Sequence, residues 1–259
     1  MSSLKRMLAL MDVFTPAAPV WSSEDLIRYS GVAASTCYRY LKILHSSGFL
    51  ARVANGSYVL GPRVIELDYA MRLSDPVYVL GSPVIAQLQK QTGCNALLSI
   101  LYSDSVMCVQ EALSPSAPAE IFRRGQKRPL VAGASAKIIL AFLPLHQLRS
   151  VYTKHRRAIA STGLGADWTR FKTILRDIRK AGYSMSTGEY NPGIVSIAAP
   201  IFNRNNEVLG SVTLAEAVAQ VPESEFRRYV EDVVRAGQDI TTQISNESRL
   251  PALAARAIG

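Results

Sequence analysis

Ser35, Thr36, Tyr38, Arg39 and Lys42 fall on one side of a helix that the spacing predicts from about Ala33 to Ser47. Together they have the chemistry needed to touch nucleic acid. Small hydroxyls allow close approach, a helix N-terminus favours phosphate, and the Arg39 fork matches a guanine edge. Cys37, Tyr40, Leu41 and Leu44 make the other side apolar. A merely solvated helix face would carry similar residues, so the neighbouring segments decide. Asn55-Gly56 lies between the β-prone runs Phe49–Ala54 and Ser57–Leu60, which is a strong hairpin signal. Arg52 and Asn55 on that hairpin are placed to lie over phosphates or a minor groove.

The elements that must hold these residues are legible nearby. Leu4, Leu8, Met11 and Phe14 fall at helical spacing, and Thr15–Pro19 ends that helix with two prolines. Ser22, with Asp25 three residues on, predicts a capped second helix that buries Leu26 and Ile27 and stops at Ser30-Gly31. Three helices followed by a hairpin predict a winged helix-turn-helix over residues 1–61. Met7, Leu10 and Val13 are apolar beyond one buried stripe, and part of that surplus is expected to form a dimer contact. Residues 62–80 then read as a linker helix, through Val64, Ile65, Leu67 and Met71, interrupted at Asp75-Pro76.

Residues 81–247 mix helices and strands. A helix is expected over about Pro83–Thr92. Strands are expected at Asn95–Tyr102, Ser105–Ala112, Val195–Phe202 and Val208–Ala215. Further helices are expected at Ala132–Phe142, Leu145–Tyr152, around Phe171–Ile178 and over about Phe226–Ile240. Adjacent strand pairs in this order indicate an α+β domain with a mainly antiparallel sheet. Residues 248–259 read as a C-terminal tail.

The 259 residues carry 29 Lys and Arg against 20 Asp and Glu, a net charge of +9, which biases the chain toward polyanions. Residues 1–63 hold seven cations and three acids, so the excess is spread over both halves and does not itself locate a site. No apolar run is long enough to span a bilayer and no secretory signal is recognisable, so no membrane partner and a cytoplasmic location are expected. Cys37, Cys94 and Cys108 have no metal-ligand spacing, and the three histidines are scattered, so neither a metal nor a cofactor is expected. Ser196 sits in Gly193-Ile194-Val195-Ser196-Ile197, which is not a nucleophile elbow. No catalytic residue is therefore assigned. A small-molecule-processing enzyme is the alternative reading, and a scaffold that uses the basic surface is a third.

The run Leu26–Leu44, the continuation Gly48-Phe49-Leu50 and the exit Tyr58-Val59-Leu60-Gly61-Pro62-Arg63 resemble the helix-turn-helix of the IclR (isocitrate lyase regulator) family. Gly188–Ile201, preceded by Arg179-Lys180-Ala181-Gly182-Tyr183, resembles that family's effector-domain signature. The similarity spans roughly residues 3–245. It implies a transcriptional regulator with a GAF-like effector domain and a ligand pocket on one face of the sheet. It also implies a homodimer or homotetramer on double-stranded, palindromic operator DNA. The chain departs from the family pattern at Val131, Ala136, Ser186, Thr187, Val195, Ser196 and Glu216-Ala217, several of them pocket positions. A pocket is expected between the Ala132–Lys137 helix start, the Ser186–Glu189 segment and the strand starting near Ser196. Phe122 and Ile194 would form its apolar wall. Ala134, Ser135, Ser186, Glu189 and Ser196 would supply backbone and side-chain polar groups. The acids and the arginine common in relatives are replaced, so the expected effector is an aromatic acid or its neutral derivative rather than a small dicarboxylate.

Overall fold

A serine cap opens the chain: Ser2 accepts from the Lys5 amide and starts α1 (Ser3–Ala9), which tightens into a 3-10 turn over Leu10–Val13. The computed structural model describes residues 2–248 and Leu250, and the chain divides into two units between Leu73 and Ser74. The tail beyond Leu250 lies outside the described residues. In the first unit, Ser22 caps α2 (Ser23–Ser30) by accepting from the Asp25 amide at 3.1 Å. Gly31 ends it at φ 62°, a conformation that suits glycine. α3 (Ala34–Ser46) follows, then the hairpin strands β1 (Leu50–Arg52) and β2 (Tyr58–Leu60), then α4 (Arg63–Ser74). Leu10, Leu26, Leu41 and Leu50 are fully buried at the centre of this unit.

The phase of α1 differs from the sequence expectation. Leu4 and Leu8 face solvent, whereas Met11 and Phe14 pack against the core as expected, beside Met7, and Leu10 and Val13 enter it. The 3-10 turn explains the partial change of face. At three residues per turn it stacks Leu10 over Val13, a spacing that a continuous α-helix would place differently. Met7, Leu10 and Val13 are therefore not surplus.

The second unit is built on a six-stranded antiparallel sheet. Its strands are β3 (Asn95–Tyr102), β4 (Ser105–Ala112), β5 (Lys127–Pro129), β6 (Ser184–Thr187), β7 (Ile194–Phe202) and β8 (Val208–Ala217), in spatial order β5-β4-β3-β8-β7-β6. On one face lie α5 (Pro76–Thr92) and α9 (Phe226–Asn246), and on the other α6 (Ala134–Phe142), α7 (Leu145–Ser161) and α8 (Trp168–Ala181). Alternation along each strand sends Ala96, Leu98 and Ile100 to the first face and Leu97 and Leu101 to the second. This is the α+β architecture expected from the sequence.

α5 begins seven residues earlier than its expected start at Pro83. Asp75 caps it by accepting from the Val77 and Tyr78 amides, and Pro76 sits in its first turn, where a missing N–H costs nothing. Pro83 lies inside the helix. The Ser82 hydroxyl donates to the Tyr78 carbonyl one turn back, in the region where the proline interrupts the hydrogen-bond ladder. The short strands β5 and β6 had no sequence expectation at all.

The helix–sheet contact on the α9 side is close enough to require glycine. A Cβ at Gly237 would lie 2.7 Å from the Pro200 carbonyl oxygen, a backbone atom that cannot swing away. A Cβ at Gly81 would meet only the Leu98 side chain. Gly237→Ala is expected to destabilise the protein by about 1–2 kcal/mol, even after a helix-propensity gain of about 1 kcal/mol. Gly81→Ala should cost less, because Leu98 can change rotamer. Urea titrations followed by circular dichroism will rank the two.

Candidate functional site

Two places bring chemistry-bearing residues together, one in each unit. The first is the outer face of α3. Cys37, Tyr40, Leu41 and Leu44 point into the core, which fixes the rotation of the helix. Ser35, Tyr38, Arg39 and Lys42 are consequently exposed, and Thr36 is half-buried at the edge. No side chain caps the start of α3, so its first amides remain available to an anion. Arg39 and Lys42 make no ion pair among the described residues, whereas Arg28 is paired with Asp25 and Arg63 with Glu66. The unit thus presents uncompensated cations on one helix face.

The hairpin adds two further residues. Gly56 donates to Val53 and Val53 to Ser57, which makes a three-residue loop with Gly56 at φ 79°. The Asn55 side chain accepts from the Ser57 amide at 3.1 Å and so braces the tip. Arg52 donates to the Tyr58 hydroxyl at 3.0 and 3.2 Å, with its guanidinium 5.4 Å from that ring. Both residues are exposed, and both are held by the hairpin's own groups.

The second place is a narrow pocket on the α6 side of the sheet, with a cavity volume of about 30 Å³. Phe122, Ala134, Ser135, Ile194 and Ser196 line it, together with Leu97, Val106, Ile121, Thr213 and Asn191. Ser135 and Thr213 share a hydrogen bond at 2.8 Å, which couples the start of α6 to the sheet. Two of the residues anticipated here are placed otherwise. Ser186 is buried in β6 opposite Ser196 and does not line the pocket. Glu189 accepts from the Gly133 amide at 3.0 Å and is bound to Lys137 in an ion pair whose side chains are only 11% and 21% exposed. That carboxylate occupies the entrance to α6, where backbone groups were expected to meet the ligand.

Sequence reasoning missed Arg128. It lines the pocket, its guanidinium lying 4.5 Å from the Phe122 ring centre and 4.4 Å from that of Tyr190. Burial pulls its pKa below the ordinary guanidinium value. Nothing in the run Arg123–Arg128 distinguishes this arginine from its neighbours, because the three-residue strand β5 that turns it inward has no periodicity to detect. The three thiols are all buried. Burial, with Glu111 adding to it, pushes Cys108 up to about 12, far from a reactive thiolate.

Comparison with known proteins agrees with both halves. A family model described as the IclR helix-turn-helix domain matches residues 3–54, and one described as the bacterial transcriptional regulator IclR C-terminal matches residues 74–242. The chain is 27% identical over 243 residues to the HTH-type transcriptional regulator KipR of Bacillus subtilis, covering 92% of this chain and 94% of that one. Its fold matches the crystal structure of an IclR transcriptional regulator from Alicyclobacillus acidocaldarius with a TM-score of 0.80 at 24% identity, covering 94% and 98% of the two chains. It also matches an IclR homologue from Microbacterium hydrocarbonoxydans complexed with 4-hydroxybenzoate, with a TM-score of 0.76 at 21% identity, covering 94% and 99%.

The Glu189–Lys137 pair can be tested as a clamp. Glu189→Gln preserves shape but leaves the Lys137 ammonium with no counter-charge, and is expected to lower stability by about 1–3 kcal/mol. The double variant Glu189→Gln with Lys137→Met removes the stranded charge and should recover part of that loss. Thermal melts of the three proteins measure both effects.

Proposed function

The chain belongs to the IclR family of transcriptional regulators, and on that premise we propose that α3 lies in the major groove of operator DNA while the pocket of the second unit takes an organic effector. The observation that carries this reading is the set of unpaired cations on α3, beside a helix start that no side chain caps. Arg39 reads a base edge and Lys42 holds phosphate, with Ser35, Thr36 and Tyr38 making the close approach. Arg52 and Asn55 contact the backbone from the hairpin. The effector acts by linkage. It changes operator affinity only as far as it discriminates between binding-competent and incompetent arrangements of the chain. The apolar pocket wall favours an aromatic acid or its neutral derivative, and the solved homologue holding 4-hydroxybenzoate supports that class.

A homodimer completes the reading. α4 buries none of its side chains, and Ile65, Tyr69 and Leu73 on it are at least 60% exposed, as are Leu4 and Leu8 on α1. An apolar helix left this bare calls for a partner surface. A second copy would place two recognition helices on two half-sites of a palindrome.

Arg39→Ala is expected to cost about 1–3 kcal/mol of operator affinity and to relax specificity at one base position. Lys42→Ala should weaken binding to all sequences and flatten its salt dependence. Unchanged affinity and specificity in Arg39→Ala would displace α3 from the groove. Sedimentation at micromolar concentration should give a dimer or larger assembly, and Leu8→Glu combined with Ile65→Glu should shift it toward monomer. A wild-type monomer, free and on DNA, would rule out the two-copy arrangement.

A further inference from the structure

We propose that Arg128 is the carboxylate anchor of the pocket and that the ligand is a monocarboxylic acid with a small apolar body. This rests on the reading of the pocket as the effector site and narrows it from an acid or neutral derivative to the acid alone.

The register of the sheet puts Arg128 there. β5 pairs with β4 so that Arg128 stands opposite Val106, which itself lines the pocket. Side chains alternate along a strand, so exposed Lys127 and Pro129 point outward and half-buried Arg128 points in. The rings of Phe122 and Tyr190 then take up space around the guanidinium. Cation–π contacts of this kind hold the group in place, but they leave its in-plane N–H donors free. Among the described residues, one hydrogen bond uses them, from Nη2 to the Glu120 carbonyl at 3.1 Å. A guanidinium carries five donors and matches a carboxylate in two parallel bonds.

Among the described residues no acid fills that role. Glu189, the nearest acid in sequence to Tyr190, is held by Lys137 and the Gly133 amide. Glu111 is engaged by Arg123 and the Arg124 amide. Arg128 is paired with no carboxylate among the described residues, yet burial already disfavours its charge. A ligand carboxylate supplies the missing partner. The same inventory limits the ligand to one negative charge. Lys137 is the other partly buried cation at this end of α6, and Glu189 neutralises it, so a second carboxylate would be desolvated without a partner. The rest of the pocket is apolar at Leu97, Val106, Ile121 and Ile194, with the Ser135–Thr213 hydroxyl pair, Ser196 and Asn191 for uncharged polar contacts.

The test is calorimetry on the full chain with the matched probes benzoate and benzamide, plus phthalate as the dicarboxylate. Wild type is expected to bind benzoate at least about tenfold more tightly than benzamide or phthalate, the size of a hydrogen-bonded charge contact. Arg128→Gln retains a donor for the Glu120 carbonyl and should erase the preference for benzoate over benzamide. Tyr190→Leu, which leaves the guanidinium but removes one ring beside it, should weaken benzoate and leave benzamide nearly unchanged. This second variant keeps the test valid if Arg128→Gln folds poorly. The anchor is overturned if benzamide binds wild type as tightly as benzoate, or if either variant keeps the full preference. Failure of benzoate and phenylacetate to bind wild type also overturns it. The broader effector reading then falls only if neutral ligands fail as well and no ligand alters operator binding.

Discussion

One internal carboxylate organises the second unit. Glu189, in the loop after β6, reaches the start of α6, takes the Gly133 amide and neutralises Lys137. Helix starts attract anions because their first amides are unpaired and the helix dipole is positive there. By meeting that demand from within, Glu189 ties the loop at residues 188–193 to α6, with Asn191 at the pocket and Tyr190 beside the Arg128 guanidinium. The Asn191 amide then donates to the Glu120 carbonyl, the same oxygen that accepts from Arg128. The rim of the pocket is therefore a chain of polar contacts anchored at one ion pair. Losing either charge would expose the other to a poorly solvated site, which is why such a pair is hard to remove one residue at a time.

The same pair changes what the pocket can recognise. With the α6 entrance already occupied, a ligand anion meets Arg128 on the opposite strand instead of the helix amides. The sheet, rather than the helix, then positions the charged end of the ligand. Strand pairing is a precise way to do this, since a shift of one residue in β5 would turn Arg128 to solvent and Lys127 or Pro129 inward.

What could be read from the sequence follows from the range of each signal. The rotation of α3 was legible, because Cys37, Tyr40, Leu41 and Leu44 repeat over about two turns and leave only one face for the polar residues. α1 spans seven residues and passes directly into a 3-10 turn. Its apolar pattern therefore samples two different periods, and a single-helix reading holds for Met11 and Phe14 but fails for Leu4 and Leu8, which face solvent. The start of α5 was hidden because Pro83 reads as a first-turn proline, while Asp75 and Pro76 form the real cap. Of the anticipated pocket residues, Phe122, Ala134, Ser135, Ile194 and Ser196 line the cavity; all but Phe122, which lies in the loop before β5, sit in α6 or β7. Arg128 was invisible for a different reason. Its role depends on a three-residue edge strand and on rings at positions 122 and 190, and neither relation leaves a local trace in the chain.

That the two sites lie in different units also limits how regulation can operate. Coupling between distinct sites is typically about 1–3 kcal/mol, or roughly 5–150-fold in affinity. The base contact proposed for Arg39 lies in the same range. An effector therefore need not touch α3 or release every phosphate contact. It is enough to bias an arrangement in which one such contact per half-site is lost. In a dimer the two half-sites are read together, so a change in their spacing that weakens each modestly is felt twice. Reciprocity then requires operator DNA to alter effector affinity by the same factor. A pocket in which one charged residue, Arg128, recognises the ligand suits this regime, since its contribution is strong enough to select the acid and small enough to be offset by DNA.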